Sequence, residues 1–172
     1  LLSSAASDVY KRQVLNFGIK DLRIVGTTGI WSEEARNRAK HAQDVLDSCK
    51  IYENLNEAIH DCSLVIGTSG KREIGDRISF RHFIPPEELP KRLVSVEGRV
   101  AFVFGPEDIG LTNEELHDCD LLVTIPTWEG YPILNLSHAV SIICYTWYVN
   151  ISSSKRGTPN NKDFSIHFLE IG

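Results

Sequence analysis

Short apolar runs alternate along the chain with segments whose apolar residues recur at helical spacing. The runs are rich in β-branched residues and predict five strands: Leu22–Val25, Ile51–Tyr52, Cys62–Gly67, Arg99–Phe104 and Leu121–Ile125. The helical segments run from Ser32 to Leu46, from Asn56 to His60, from Pro85 to Leu93, after Thr112 and from Leu134 to Val149. Because near-continuous apolar strands separated by helices are typical of a parallel sheet covered on both faces, the pattern predicts an α/β fold.

The two ends of the chain depart from this pattern. Residues 1–13 are small, polar and aperiodic, and we interpret them as a foreign or incomplete leader. Residues 151–172 begin with a stretch rich in Ser, Asn, Gly and Pro, so we interpret them as a linker-like tail, whose last residues are too few to assign. The sequence therefore predicts one domain over residues 14–150, long enough to bury a substantial core.

Composition narrows the class of protein. The 172 residues carry a net charge of -5, from 18 Lys and Arg against 23 Asp and Glu, which disfavours nucleic-acid binding through bulk charge but allows a local basic patch. No apolar run approaches the roughly 20 residues of a membrane-spanning helix, so we expect no membrane partner. The four cysteines are widely spaced and form no zinc motif, which predicts free thiols in the cytoplasm and no metal site.

Candidate chemistry lies in three loops that follow predicted strands, at residues 67–72, 104–110 and 125–135. The carboxyl ends of parallel strands meet at one edge of a sheet, where ligands bind in α/β proteins. Glycine and proline so close to strand ends suggest backbone placed against a ligand. We therefore expect the three loops to lie side by side and to form a binding site.

Two common ligand motifs are absent from these loops. Gly70-Lys71 resembles the end of a P-loop, but the first glycine is three residues back instead of five and Arg72 stands where Ser or Thr is required. No G-x-G-x-x-G follows a strand, which argues against a conventional nicotinamide enzyme. No other motif supports a different small-molecule α/β enzyme.

Two longer runs resemble a known family. Phe102–Leu111 and Ile125–Val140 resemble motifs 2 and 3 of the SPOUT RNA 2′-O-methyltransferases, in the TrmH/TrmJ (SpoU) branch, and Asn16–Val25 resembles the segment after motif 1. The resemblance covers roughly residues 14–150. It implies a parallel sheet with a C-terminal deep trefoil knot, and a homodimer with each cofactor pocket near the subunit interface. It also implies S-adenosylmethionine as cofactor and methyl transfer to a ribose 2′-hydroxyl of RNA, with tRNA expected and rRNA the alternative.

The resemblance also assigns site residues. The family's cofactor contacts fall on Thr68, Ser69, Gly70, Gly105, Ile125, Pro132, Ile133 and Leu134. Judged from the residues alone, Ile125 and Leu134 fit core packing equally, and Gly105 fits a strand-ending turn. Glu107 and Asn135 take catalytic positions, with a solvated loop carboxylate and a helix N-cap as their respective alternatives.

The chain departs from the family pattern at two places. The motif 1 arginine, which the family uses to activate the hydroxyl, falls on Arg12, but Ala6 and Asp8 replace the Asn and Gly of that motif. Ile133 stands where the family usually carries Ser, so a hydroxyl is lost. Both departures favour a rival hypothesis, a non-catalytic RNA-binding or assembly protein that keeps the knot fold, whereas the intact cofactor loops favour the enzyme.

Overall fold

One parallel sheet of seven strands organises the structure, a computed structural model that describes residues 13–26, 50–70, 83–107, 109–154 and 164–169. The strands are β1 Asp21–Val25, β2 Lys50–Tyr52, β3 Cys62–Thr68, β4 Phe83–Ile84, β5 Arg99–Phe104, β6 Leu121–Val123 and β7 Phe164–Leu169. Their order across the sheet is β2-β1-β7-β5-β3-β6-β4, and every neighbouring pair is parallel. The predicted α/β fold with a parallel sheet is confirmed.

Helices connect and cover the strands. Those whose bounds lie inside the described ranges are α1 Leu55–Ile59, a 3-10 turn Pro86–Glu88 continued by α2 Leu89–Leu93, α3 Asn113–His117 and α4 Leu136–Ser154. The predicted capping box at α3 is present: the Thr112 hydroxyl accepts from the Glu115 N–H at 3.3 Å, and the Glu115 carboxylate accepts from the Thr112 N–H at 2.6 Å. The helix predicted from Ser32 to Leu46 lies outside the described residues. None of the helices in the described ranges is both long and apolar enough to cross a membrane.

The core lies on both faces of the sheet, as alternation along β5 shows. Val100, Phe102 and Phe104 pack into the cluster beneath α2 and α4, whereas Ala101 and Val103 pack into the cluster beneath α1 and α3. Side chains on a strand point alternately to opposite faces, so a strand this apolar needs cover on both. The near-continuous apolar run in the sequence therefore reflects burial on both sides.

The chain beyond residue 150 differs from the prediction. Helix α4 continues to Ser154, and β7 lies between β1 and β5, paired with both. Residues 164–169 are thus part of the sheet, and a domain that ends at residue 150 leaves out one of its interior strands. The six residues of β7 are too few for their pattern to be recognised alone, because their hydrogen bonds and burial come from neighbours distant in sequence.

A cluster of two arginines and two aspartates, partly buried, lies at the amino-terminal edge of the sheet. The Arg23 guanidinium, fully buried, donates to the Asp21 carboxylate at 2.7 Å, to the Asp61 carboxylate at 2.8 Å and to the Ala58 carbonyl at 2.5 Å, and Arg99 pairs with the same two carboxylates. Burial tends to raise the pKa of Asp21, but hydrogen bonds and the charge of Arg23 lower it overall. A buried charge needs such compensation, so this cluster, which the sequence pattern did not reveal, has a structural role.

Candidate active site

Three loops at the carboxyl edge of the sheet enclose one cavity of about 910 Å³. They follow β3, β5 and β6, which are neighbours in the sheet. Hydrogen bonds join the strand ends: the Thr68 hydroxyl donates to the Val103 carbonyl at 3.0 Å, and the Ser69 N–H donates to the Val123 carbonyl at 3.0 Å. The loops therefore lie side by side, as the strand pattern predicts.

The predicted binding residues lie together in this cavity. All eight line it: Thr68, Ser69, Gly70, Gly105, Ile125, Pro132, Ile133 and Leu134. The strand predicted to reach Ile125 ends at Val123, which frees Ile125 for the cavity wall. Of the three predicted catalytic residues, Glu107 lines the cavity, Asn135 lies between two lining residues, and Arg12 lies outside the described residues.

The loop after β5 turns back sharply on itself. The Gly110 N–H donates to the Pro106 carbonyl at 2.8 Å, and Gly110 has a φ of +68°, in the left-handed region that favours glycine. A Cβ added at Gly105 would lie 2.3 Å from the Gly110 carbonyl carbon and 2.5 Å from the Leu111 nitrogen. Gly105 therefore serves the turn and the cavity wall together, since its missing side chain lets the loop fold close to the strand end.

The amino terminus of α4 points at this loop. The Glu107 carboxylate accepts from the Leu136 N–H at 3.2 Å, and the Asn135 side-chain oxygen accepts from the N–H of Ser137 at 2.9 Å and from its hydroxyl at 2.8 Å. Asn135 is thus the helix N-cap, the alternative that its residue type allowed. A carboxylate at a helix N-terminus also interacts favourably with the helix dipole, so Glu107 ties the second loop to the third.

Sequence reasoning missed two polar residues that line the cavity, Asn113 and Glu129. Asn113 follows the capping residue Thr112, so only its place in the capping-box pattern draws attention to it. Glu129 lies within the third loop but outside the family positions. The remaining wall is largely apolar, formed by Ile109, Leu111, Leu116, Ala139 and Ile143, among others.

The chemistry of this wall limits what it can bind. It combines backbone groups of glycine-rich loops with aliphatic side chains and a few polar groups, which suits a ligand with a flat apolar ring and hydrogen-bonding edges. Ile133, exposed over 72% of its surface, adds an apolar side chain at this wall where a hydroxyl was expected. Within the described residues, no three His, Cys, Asp or Glu side chains come together as metal ligands.

Comparison with known proteins identifies the family. The SpoU rRNA Methylase family matches residues 10–145. The chain belongs to this family. The chain is 51% identical over 137 residues to the tRNA (cytidine-2′-O-)-methyltransferase TrmJ of Methanocaldococcus jannaschii. The match covers 80% of this chain and 59% of the relative.

A second curated relative and a solved structure support the assignment. The chain is 38% identical over 136 residues to the tRNA (cytidine/uridine/adenosine-2′-O-)-methyltransferase TrmJ of Pseudomonas aeruginosa, covering 78% of this chain and 52% of the relative. A probable methylase family protein from Haemophilus influenzae has a similar structure, with a TM-score of 0.73 and 31% identity over 92% of this chain and 66% of its own. The chain thus spans 59% and 52% of the length of the two curated relatives. The resemblance to the TrmH/TrmJ branch is confirmed.

Proposed function

We propose that this chain is the catalytic domain of an RNA 2′-O-methyltransferase, which transfers a methyl group from S-adenosylmethionine to a ribose hydroxyl, with tRNA as the substrate. One observation carries the proposal: the three loops that hold the family's cofactor positions enclose a single cavity at the carboxyl edge of the sheet. Relatives named as tRNA 2′-O-methyltransferases support the choice of tRNA over rRNA.

The side chains and backbone groups that line the cavity suit the chemistry of the cofactor. The adenine ring needs apolar contact with a few backbone hydrogen bonds, and Ile125 and Leu134 with the glycine loops offer both. A main-chain contact to the cofactor at position 133 would not depend on the side chain, so the change to Ile133 is compatible with binding. The cofactor supplies an activated methyl group, and the protein's contribution is to hold the acceptor in line with it.

Alignment of the ribose is the main task of the residues around α4. In the transfer that the bound cofactor would support, the 2′-oxygen would bond to the methyl carbon as the carbon–sulfur bond breaks, the sulfur would leave as S-adenosylhomocysteine, and the hydroxyl proton would pass to solvent. We assign Glu107 and Asn135 to the positioning of the ribose, and Arg12 to stabilising the developing charge on the oxygen. The hydrogen bonds that fix Glu107 and Asn135 at the α4 terminus support this assignment for those two residues.

We also propose a homodimer whose interface includes one face of α4. This face carries three exposed apolar side chains at helical spacing, those of Ile142, Tyr145 and Val149. The ring of Phe17 extends the surface, since its centroid lies 6.3 Å from that of Tyr145 and 6.0 Å from that of Tyr148. The same helix lines the cavity through Ala139 and Ile143, so a second copy on this face would lie close to the site. On the basis of family membership, we also propose that the connection into α4 is knotted and that the protein is cytoplasmic.

The deciding experiment is methyl transfer from labelled S-adenosylmethionine to bulk tRNA, followed by digestion of the product. We expect label on ribose and none on bases. Cofactor binding is measured in parallel by calorimetry. Binding of both cofactor and tRNA without transfer would favour the rival hypothesis of a non-catalytic RNA-binding protein, and absence of cofactor binding would refute the assignment of the cavity.

The dimer is tested by sedimentation equilibrium of the wild-type chain and of Tyr145→Glu. We expect twice the chain mass for the wild type and a monomer for the variant, because a carboxylate would be buried in the apolar interface. Val94→Glu is the matched control, since Val94 is exposed outside this face. A monomeric wild type would overturn the proposed interface.

A further inference from the structure

A short closed loop at the mouth of the cavity presents two aromatic rings to solvent. The Thr127 hydroxyl donates to the Pro132 carbonyl at 3.0 Å, and the Tyr131 N–H donates to the Trp128 carbonyl at 3.0 Å, so internal hydrogen bonds hold residues 127–132 in a defined turn. Glu129 and Pro132 of this turn line the cavity, whereas Trp128 and Tyr131 are 79% and 77% exposed. The rings are therefore beside the cavity and outside it.

Trp128 has a fixed support. A Cβ added at Gly130 would lie 2.5 Å from Cη2 and 2.7 Å from Cζ2 and Cζ3 of the indole, so the six-membered ring sits directly against the Gly130 backbone. Any side chain at position 130 would displace the ring. The indole thus packs against the Gly130 backbone, while most of the indole surface is exposed to solvent.

Single exposed apolar residues are common on protein surfaces and need no function. This arrangement differs in that two aromatic side chains occur within four residues, on a turn closed by its own hydrogen bonds, next to a cavity that accepts a ribose under the proposed function. A nucleotide that places its ribose in the cavity brings its own base or a neighbouring base close to this turn. Single-stranded RNA bases are held by stacking on aromatic side chains, which suits a chain with a net charge of -5.

We propose that Trp128, seated on Gly130, is a stacking platform for a nucleobase of the RNA substrate beside the ribose that enters the cavity. This inference rests on the proposed function. Stacking is tolerant of base identity, so the platform contributes affinity and orientation without selecting a particular base. Tyr131, on the same turn, presents a second ring at the mouth.

The test compares tRNA affinity of the wild type, Trp128→Ala, Trp128→Phe and Gly130→Ala by filter binding at several salt concentrations. We expect Trp128→Ala to weaken binding roughly 10- to 100-fold, and Trp128→Phe to retain most of the affinity. Gly130→Ala keeps the indole but displaces it, so it too should weaken binding. The dependence of affinity on salt should be unchanged in all four, since stacking involves no phosphate neutralisation.

Controls separate this inference from the proposed function. Val94→Ala, an exposed apolar residue outside the cavity lining, should bind tRNA as the wild type does, and S-adenosylmethionine affinity should be unchanged in Trp128→Ala. Equal tRNA affinity of the wild type and Trp128→Ala would overturn the platform while leaving the methyltransferase proposal intact. Conversion of Trp128→Ala to a monomer would also overturn it, by assigning the ring to contact with a second copy.

Discussion

At the scale of single residues, two glycines of the site differ in what surrounds them. The position of a Cβ on Gly105 is occupied by the backbone of Gly110 and Leu111, whereas a Cβ on Gly70 would meet no atom of the described part of the chain within 4 Å. Both glycines line the cavity and both lie in loops that leave strands. Their sequence contexts give no reason to treat them differently, so this contrast comes from the structure.

We predict that Gly105→Ala lowers the free energy of unfolding by about 1–3 kcal/mol, because backbone must move to admit the methyl group. Gly70→Ala is the matched control and should change it by less than about 0.5 kcal/mol. Urea denaturation of both variants measures the difference. Equal stability of the two would show that the loop after β5 is not folded against its strand end as described.

The sequence predicted which loops form the site, but it did not predict every side chain that lines the cavity. The family positions identify loops, and all eight cofactor positions line one cavity, although their roles stay predictions. Asn113 and Glu129 were missed because nothing in their local pattern separates a cavity-lining polar side chain from a solvated one. The direction of such a side chain depends on how loops from three strands meet, which local spacing does not determine.

At the scale of elements, α4 begins with two side chains that satisfy its first N–H groups. Asn135 accepts from Ser137, and Glu107 reaches from the second loop to Leu136. The start predicted at Leu134 is two residues early, since Asn135 is the cap and the helix begins at Leu136. Asn135 caps α4 and is also the proposed ribose-positioning residue. A pair of variants can separate these two roles.

We predict that Asn135→Ala lowers the free energy of unfolding by about 0.5–2 kcal/mol through loss of the cap, whereas Asn135→Ser keeps a capping oxygen and most of the stability. If the amide positions the ribose, methyl transfer falls in both variants. Urea denaturation and the transfer assay are measured on the same preparations. Full activity in Asn135→Ser would restrict Asn135 to its structural role.

Element prediction was most successful where a strand was a long, continuous apolar run. Strand β5 was predicted with the bounds that the structure has, because all its residues from Val100 to Phe104 are buried in a sheet covered on both faces. The two-residue strand β4 was not predicted, since Phe83 and Ile84 are too few to show a period. Its place is determined by pairing with β6, a contact between residues about 40 apart in the sequence.

At the scale of the whole molecule, β7 connects the two halves of the sheet. It pairs with β1 on one side and β5 on the other, and its His167 is fully buried between Arg23 and Val103 in register. Burial, with the positive charge of Arg23, lowers the pKa of His167 to about 3. A histidine held neutral in the folded sheet but free to ionise in the unfolded chain links stability to pH.

We predict that the free energy of unfolding falls as the pH decreases from about 6.5, with a slope approaching roughly 1.4 kcal/mol per pH unit. The sign follows from the lowered pKa: between about 6.5 and 3, the unfolded chain binds a proton at His167 that the folded chain does not. Urea denaturation between pH 7 and pH 4.5 measures this slope before the lowered pKa values of Asp21 and Asp61 add their own loss at lower pH. In His167→Gln the slope over this window should largely disappear. A pH-independent wild type over this window would contradict the lowered pKa of His167.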